Sequence, residues 1–174
     1  PDPRRPLSPR DPLRAFRTAQ DVSVQSLLVV PDLLRSFGVE PAPVLARAKV
    51  DPRWIRSARD RIPFDVAHRV AFECAKATGC PHFGLLVGQR VGTAAMGALA
   101  ELARHSTTVR SALRMLCAHL QVQDRGAVAY LRDRNAREAE FGYQIFHPHA
   151  PGRDQLLDAA LSVMVAFMRS LCGP

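Results

Sequence analysis

The chain has 174 residues and a mass of 19.2 kDa, which is enough for one domain with a substantial hydrophobic core. With 47% hydrophobic and 23% charged residues, the composition excludes a wholly disordered protein. The net charge of +8 comes almost entirely from arginine, a bias that indicates GC-rich coding more than nucleic-acid binding. Direct binding of nucleic acid by this chain is therefore a minor hypothesis, because net charge reports on solubility and non-specific binding.

The four cysteines form no CxxC pair, and four in a chain of this length do not make a disulfide framework. The sequence has no secretory signal, and no uninterrupted apolar run reaches the length of a membrane span. These features predict a cytoplasmic protein with reduced cysteines and no membrane partner.

Residues 1–21 are rich in proline and arginine and predict a flexible leader. A basic arm that binds DNA phosphates is the alternative for this segment. The periodic patterns that follow predict one folded unit over residues 22–174.

Apolar residues recur at helical spacing through most of this unit. Pro31 predicts a kink or restart in the first helix, and Gly38 and Gly79 predict helix ends. Ser106 is the predicted N-cap of the sixth helix. A short turn at Pro52–Ile55 carries the only tryptophan, Trp54. The predicted helices cover 22–37, 41–48, 61–78, 81–89, 94–104, 107–122 and 154–171.

The period changes to two at Gly126–Leu131 and Ala139–Phe146, which predicts an antiparallel hairpin. The predicted fold is therefore α+β and predominantly helical, with six or seven helices. A lone hairpin is marginally stable, so we expect it to belong to a larger sheet. The helix over 154–171 is apolar almost all round, apart from a thin stripe of Asp158, Ser162 and Arg169, and we expect it to lie in a core or an interface. Both features predict a part of a larger unit or half of a dimer.

No catalytic, metal or cofactor signature appears. His147 and His149 form one close pair and Cys80 with His82 another, but zinc needs three or four converging ligands. There is no nucleophile elbow and no phosphate loop. We therefore predict that the chain is not an enzyme and needs no cofactor; a small enzyme that uses His119 or His147 and His149 is a remote alternative.

A ligand cavity needs no motif, only apolar walls with a few polar groups. Methionine suits such walls because it is flexible and polarisable. The strand residues Phe141 and Tyr143 alternate onto one face of the hairpin. The alternative for each candidate is simple core packing. The candidate ligand-binding residues are Met115, His119, Phe141, Tyr143, Met164 and Met168.

The order of several segments resembles a known family. The segments are LLRSFGVEPAPVLARAKVDP, RIPFDVAHRVAFECAKATGCPHFGLLVGQR, GALAELARHSTTVRSALRMLCAHLQVQDRGAVAYL and APGRDQLLDAALSVMVAFMRSLCGP. Together they resemble the N-terminal sensory domain, of the arabinose-binding type, of AraC-type transcription regulators. The resemblance covers residues 22–174, and Lys49 stands where the family commonly has glycine.

The resemblance implies a cytoplasmic bacterial regulator that senses a small-molecule effector and often forms a homodimer. It implies promoter binding through a C-terminal helix-turn-helix domain, which lies outside this chain, so no residue here is assigned to DNA. It also implies further strands of the sensory domain after Pro174. A truncated module that dimerises through helix 154–171 without ligand is the alternative function.

Overall fold

The computed structural model describes residues 20–51, 54, 57, 60–146 and 149–173. Most of the predicted leader lies outside these residues, but Gln20 is buried and the first strand begins at Asp21. The predicted turn at Pro52–Ile55 also lies outside them, apart from Trp54.

The described chain is predominantly helical, with seven helices of at least seven residues, one single-turn helix and two small antiparallel sheets, which confirms the predicted α+β class. Two short 3₁₀ turns, Gly92–Met96 and Leu120–Val122, lie directly after the helices that end at Val91 and His119. The elements are β1 (Asp21–Ser23), α1 (Gln25–Leu28), α2 (Val30–Ser36), α3 (Pro41–Arg47), β2 (Arg61–Pro63), α4 (Phe64–Thr78), α5 (Phe83–Val91), α6 (Ala98–Arg104), α7 (Val109–His119), β3 (Ala127–Asp133), β4 (Ala139–Ile145) and α8 (Arg153–Cys172).

The sheets are two separate ladders joined by one bridge. Strand β1 pairs antiparallel with β2, and β3 pairs antiparallel with β4 over seven residue pairs. An isolated bridge between Val22 and Asp124 links the first ladder to the start of the hairpin. The predicted hairpin is confirmed. We expected it to belong to a larger sheet, but within the described residues the bridge between Val22 and Asp124 is its only link to another ladder.

The first predicted helix begins later than its apolar pattern suggests. Residues 21–23 form a strand because their backbone has partners on both sides: Ser23 N–H donates to the Gln123 carbonyl at 2.8 Å, and β2 pairs along the other edge. The chain then makes α1 and, after a break at Val29, α2. Pro31 lies in the first turn of α2, where its missing N–H costs nothing, so the predicted restart is confirmed.

Helix α7 is capped by Thr108, not by the predicted Ser106. The Thr108 hydroxyl accepts from the Ser111 N–H at 3.1 Å, and the Ser111 hydroxyl accepts from the Thr108 N–H at 3.1 Å. This reciprocal capping box satisfies two backbone donors at once, which a cap at position 106 does not achieve.

Two main apolar clusters hold the helices together. The first lies under α1–α5 and includes the fully buried Leu34 and Phe83. The second joins α6, α7 and the C-terminal half of α8 around Leu99 and Phe167. Helix α8 therefore contributes to the core at its C-terminal end.

Helix α8 is less buried than its composition predicts. Leu161 is 60% exposed and Val165 is 42% exposed, so one apolar face is open to solvent. Ser162, expected on a wet stripe with Asp158 and Arg169, is instead buried against α5. The small Ser162 side chain lies there because Gly88 lets the two helices approach closely.

Candidate functional site

A cavity of about 500 Å³ lies between the helices and the hairpin. Helices α4, α5 and α8 provide most of its walls, and β1 and α1 close one side. Strand β4 contributes Phe141 and Tyr143, and β3 contributes Ala129. Its volume falls within the range of small-molecule sites. Most of the surface is apolar, so a ligand would gain chiefly from leaving water.

Small residues create the space on the α4 side. Ala67, Ala71 and Cys74 lie on one stripe of α4 and line the cavity. Longer apolar residues at these positions would fill much of the volume. Burial raises the pKa of the Cys74 thiol to about 12, so this cysteine is a small apolar wall residue and not a nucleophile.

Two glycines set the distance between α5 and α8. A Cβ at Gly84 would lie 1.9 Å from the Gln155 carbonyl oxygen, and one at Gly88 would lie 2.4 Å from the Ala159 carbonyl oxygen. Only glycine permits this backbone approach. Helix α8 is thereby held close to α5 along the cavity wall.

The Gln155 side chain fastens this contact. Its Oε1 accepts from the Gly84 N–H at 2.8 Å, and its Nε2 donates to the Pro81 carbonyl at 2.7 Å. The Gly84 N–H is an N-terminal donor of α5, which has no partner within its own helix. Gln155 lines the cavity, but its amide is occupied in holding α8 to α5.

Asp124 and Tyr143 form the polar end of the cavity. The Tyr143 hydroxyl donates a short hydrogen bond to Asp124 Oδ2, and the Gly126 N–H donates to Asp124 Oδ1 at 2.7 Å. Asp124 is only 7% exposed, and burial raises its pKa, although the bonds from Tyr143 and Gly126 act in the opposite direction. Burial and the neighbouring Asp124 charge raise the pKa of Tyr143 well above its usual value.

The backbone around Asp124 is fixed on both sides. Beside the Ser23–Gln123 bond, the Arg125 N–H donates to the Asp21 carbonyl at 2.9 Å. The Gln123 side chain donates to the Met96 carbonyl at 2.9 Å. Asp124 is therefore presented from a rigid segment, a property that favours selective binding.

The comparisons with known proteins agree with this architecture. The model of the arabinose-binding domain of AraC transcription regulators, an N-terminal domain, matches residues 38–174. The chain belongs to this family. The HTH-type transcriptional regulator VirS of Mycobacterium tuberculosis, found in two strains, is 26% identical over 144 residues. That match covers 82% of this chain and 42% of VirS, so the chain spans less than half the length of this relative.

In this AraC-family domain, the predicted ligand residues divide into two groups. Phe141, Tyr143 and Met164 line the cavity together. Met115 and Met168 do not line it, although they pack against the second apolar cluster as Phe141 and Met164 also do, and His119 is exposed at the end of α7. Ligand contact by each of these six residues stays a prediction.

No motif in the sequence marks Asp124, Gln123 or Gln155, which provide much of the polar surface of the AraC-type cavity. The stretch from Gln123 to Gly126 carries a local signal, because aspartate two residues before glycine favours a turn in which the carboxylate accepts the glycine N–H. That signal predicts the turn but not its position at a cavity.

The alternative hypotheses, a metal site or an enzyme that uses histidine, find little support in the described part of this AraC-type domain. No group of three His, Cys, Asp or Glu side chains there converges as a metal site. His147 lies outside the described residues, and His149 is exposed in a turn.

Helix α8 of this AraC-type domain is long and apolar enough to cross a bilayer by length and composition alone, with a mean hydropathy of 1.4 over 18 residues. This is weak evidence for a membrane span, because helices packed in globular domains pass the same test. Here α8 packs along α5 and buries Phe167 completely.

Proposed function

We propose that this chain is the small-molecule-sensing domain of an AraC-type transcription regulator, and that the effector binds in the cavity between α4, α5, α8 and the hairpin. The observation that carries the proposal is the 500 Å³ apolar cavity within a chain of this family. The regulator works in the cytoplasm, and the chain catalyses no reaction. Promoter binding belongs to a helix-turn-helix domain outside these 174 residues.

Helix α8 is the element that couples the effector to the rest of the regulator. Residues of α8 between Gln155 and Met164 line the cavity, and Leu161, which is among them, forms an exposed apolar face with Val165. A ligand that changes the position of α8 changes this exposed face. In thermodynamic terms, the effector selects between states that differ in dimerisation or promoter affinity.

A cavity-filling variant tests the proposal. Ala71→Phe places a ring in the cavity from the middle of α4, whereas Ala118→Phe adds the same ring on an exposed position of α7. A compound found by thermal-shift screening of metabolites should raise the Tm of the wild type and of Ala118→Phe, and not that of Ala71→Phe. An effector that stabilises Ala71→Phe equally well would contradict binding in this cavity.

A second candidate is an interaction module that forms a homodimer through α8 without ligand. The exposed Leu161 and Val165 favour it, because adjacent exposed apolar side chains on one helix are typical of an interface. Sedimentation equilibrium of the wild type and of Leu161→Lys tests it. A wild-type dimer that dissociates in the variant supports the module, and a monomer at all concentrations argues against it.

A further inference from the structure

The charges on the cavity wall all have one sign. Asp124 and Asp158 both line the cavity, and the described residues that line it include no lysine, arginine or histidine. Elsewhere the chain is strongly basic, with 24 lysines and arginines against 16 aspartates and glutamates. The described cavity wall is therefore acidic, although the chain as a whole is basic. An anionic ligand would meet no positively charged side chain on this wall.

The nearest guanidinium does not change this conclusion. Arg61 attracts Asp124 electrostatically, but its own donors are bound elsewhere. It pairs with Asp21 at 2.7 Å and donates to the Val122 carbonyl at 2.6 Å. Arg61 therefore ties β1 to the segment that precedes Asp124, and it is not among the residues that line the cavity.

Asp124 can accept a further hydrogen bond. A carboxylate offers about four acceptor positions. The Gly126 N–H and the Tyr143 hydroxyl occupy two, and the Ala127 N–H is a third donor to this side chain. These three donors leave one acceptor position on a nearly buried carboxylate that lines the cavity. A second carboxylate brought to the same place would meet a like charge away from water.

We propose that the effector has an apolar body and one hydrogen-bond-donating end, neutral or positively charged, which binds at the pair formed by Asp124 and Tyr143, and that the cavity rejects carboxylates. This inference rests on the proposed function and specifies its ligand class. At about 30 Å³ for a group the size of water, the cavity holds roughly 17 non-hydrogen atoms.

Three probes of matched length test the ligand class: decylamine, 1-decanol and decanoate. Each is titrated into the wild-type chain at pH 7.5, the amine and the carboxylate below their micelle concentrations and the alcohol below its solubility limit. Decylamine and decanol should bind, and decanoate should bind at least tenfold more weakly than either. The relative affinities of the three probes for the wild-type chain test the proposed ligand class, whether or not any variant folds.

Two variants test whether the preference for decylamine over decanoate depends on Asp124. Asp124→Asn keeps an acceptor for the Gly126 N–H and removes the charge, so the preference for decylamine over decanoate should fall by tenfold or more while decanol changes less than threefold. Asp154→Asn, which removes an exposed carboxylate from α8, is the matched control and should leave the preference unchanged.

Each outcome bears on one claim. Decanoate binding as tightly as decylamine, or an unchanged preference in a folded Asp124→Asn, overturns the ligand class and leaves the sensory function standing. Binding of none of the three probes also overturns the ligand class, because a cavity with this anchor must accept the alcohol. The sensory function itself is decided separately, by the Ala71→Phe comparison.

Discussion

Replacing Gly84 by alanine should separate α5 from α8 and destabilise the domain. The added Cβ would lie 1.9 Å from the Gln155 carbonyl oxygen and 2.7 Å from its carbonyl carbon, whereas ordinary contact begins at 3.4 Å. The obstacle is backbone, so no side-chain rotation relieves it. The helices must move apart by about 1.5 Å, which also weakens the bond from the Gly84 N–H to Gln155.

The sign of the effect distinguishes packing from helix propensity. Propensity alone predicts that alanine stabilises a helix interior by about 0.8–1 kcal/mol relative to glycine. Overpacking costs about 1–3 kcal/mol, and a contact with rigid backbone belongs at the upper end. The net loss should therefore be about 2 kcal/mol, which lowers Tm by about 4–8 °C in a domain of this size.

Chemical denaturation and thermal unfolding followed by circular dichroism measure this loss. Gly38→Ala is the control: its φ of +71° is left-handed, but no atom lies within 4 Å of the added Cβ, so it reports backbone strain without a clash. Gly84→Ala should cost more than this control. An increase in the stability of Gly84→Ala over wild type would refute the close helix contact on which the cavity depends.

Three further substitutions should each change the stability of the folded chain in a stated direction. Because burial raises the pKa of Asp124 in the folded chain, this group lowers the stability of the wild type as pH rises from the usual 3.8 through the raised value. In urea titrations, the free energy of unfolding of Asp124→Asn minus that of the wild type should therefore increase over this pH window. A difference that does not vary with pH would contradict this prediction. Thr108→Ala removes the α7 cap and should cost about 0.5–2 kcal/mol by denaturation; no loss would mean that the capping box contributes nothing. Lys49, whose φ is +57°, should gain about 0.5–1 kcal/mol on replacement by glycine, since relief of left-handed strain exceeds the added entropy of the unfolded chain, and a lower Tm would contradict this.

Much of the fold follows from local sequence because its determinants are local. The hairpin, the end of α4 at Gly79 and the restart at Pro31 each depend on residues within one turn or one strand pair. Lys49 has a φ of +57°, a left-handed conformation that glycine adopts without strain, which gives a backbone reason for glycine at this position in the family.

The remaining features depend on contacts that are distant in sequence. Strand β1 forms because residues 21–23 meet residues about 40 and 100 positions away, which no helical period reveals. Ser162 is buried because Gly88, on another helix, leaves room for it. Asp124 becomes a cavity residue through the bridge to Val22, so composition and spacing predict its turn and not its role.

The four methionines offer the most direct test of the central claim, that an effector binds in the cavity between α4, α5, α8 and the hairpin. Met96 and Met164 line this cavity, whereas Met115 and Met168 do not, although all four belong to or pack against the second apolar cluster. In NMR spectra of chain labelled with ¹³C at the methionine methyl groups, a bound effector should shift the signals of Met96 and Met164 most. Shifts confined to Met115 and Met168 would contradict the account.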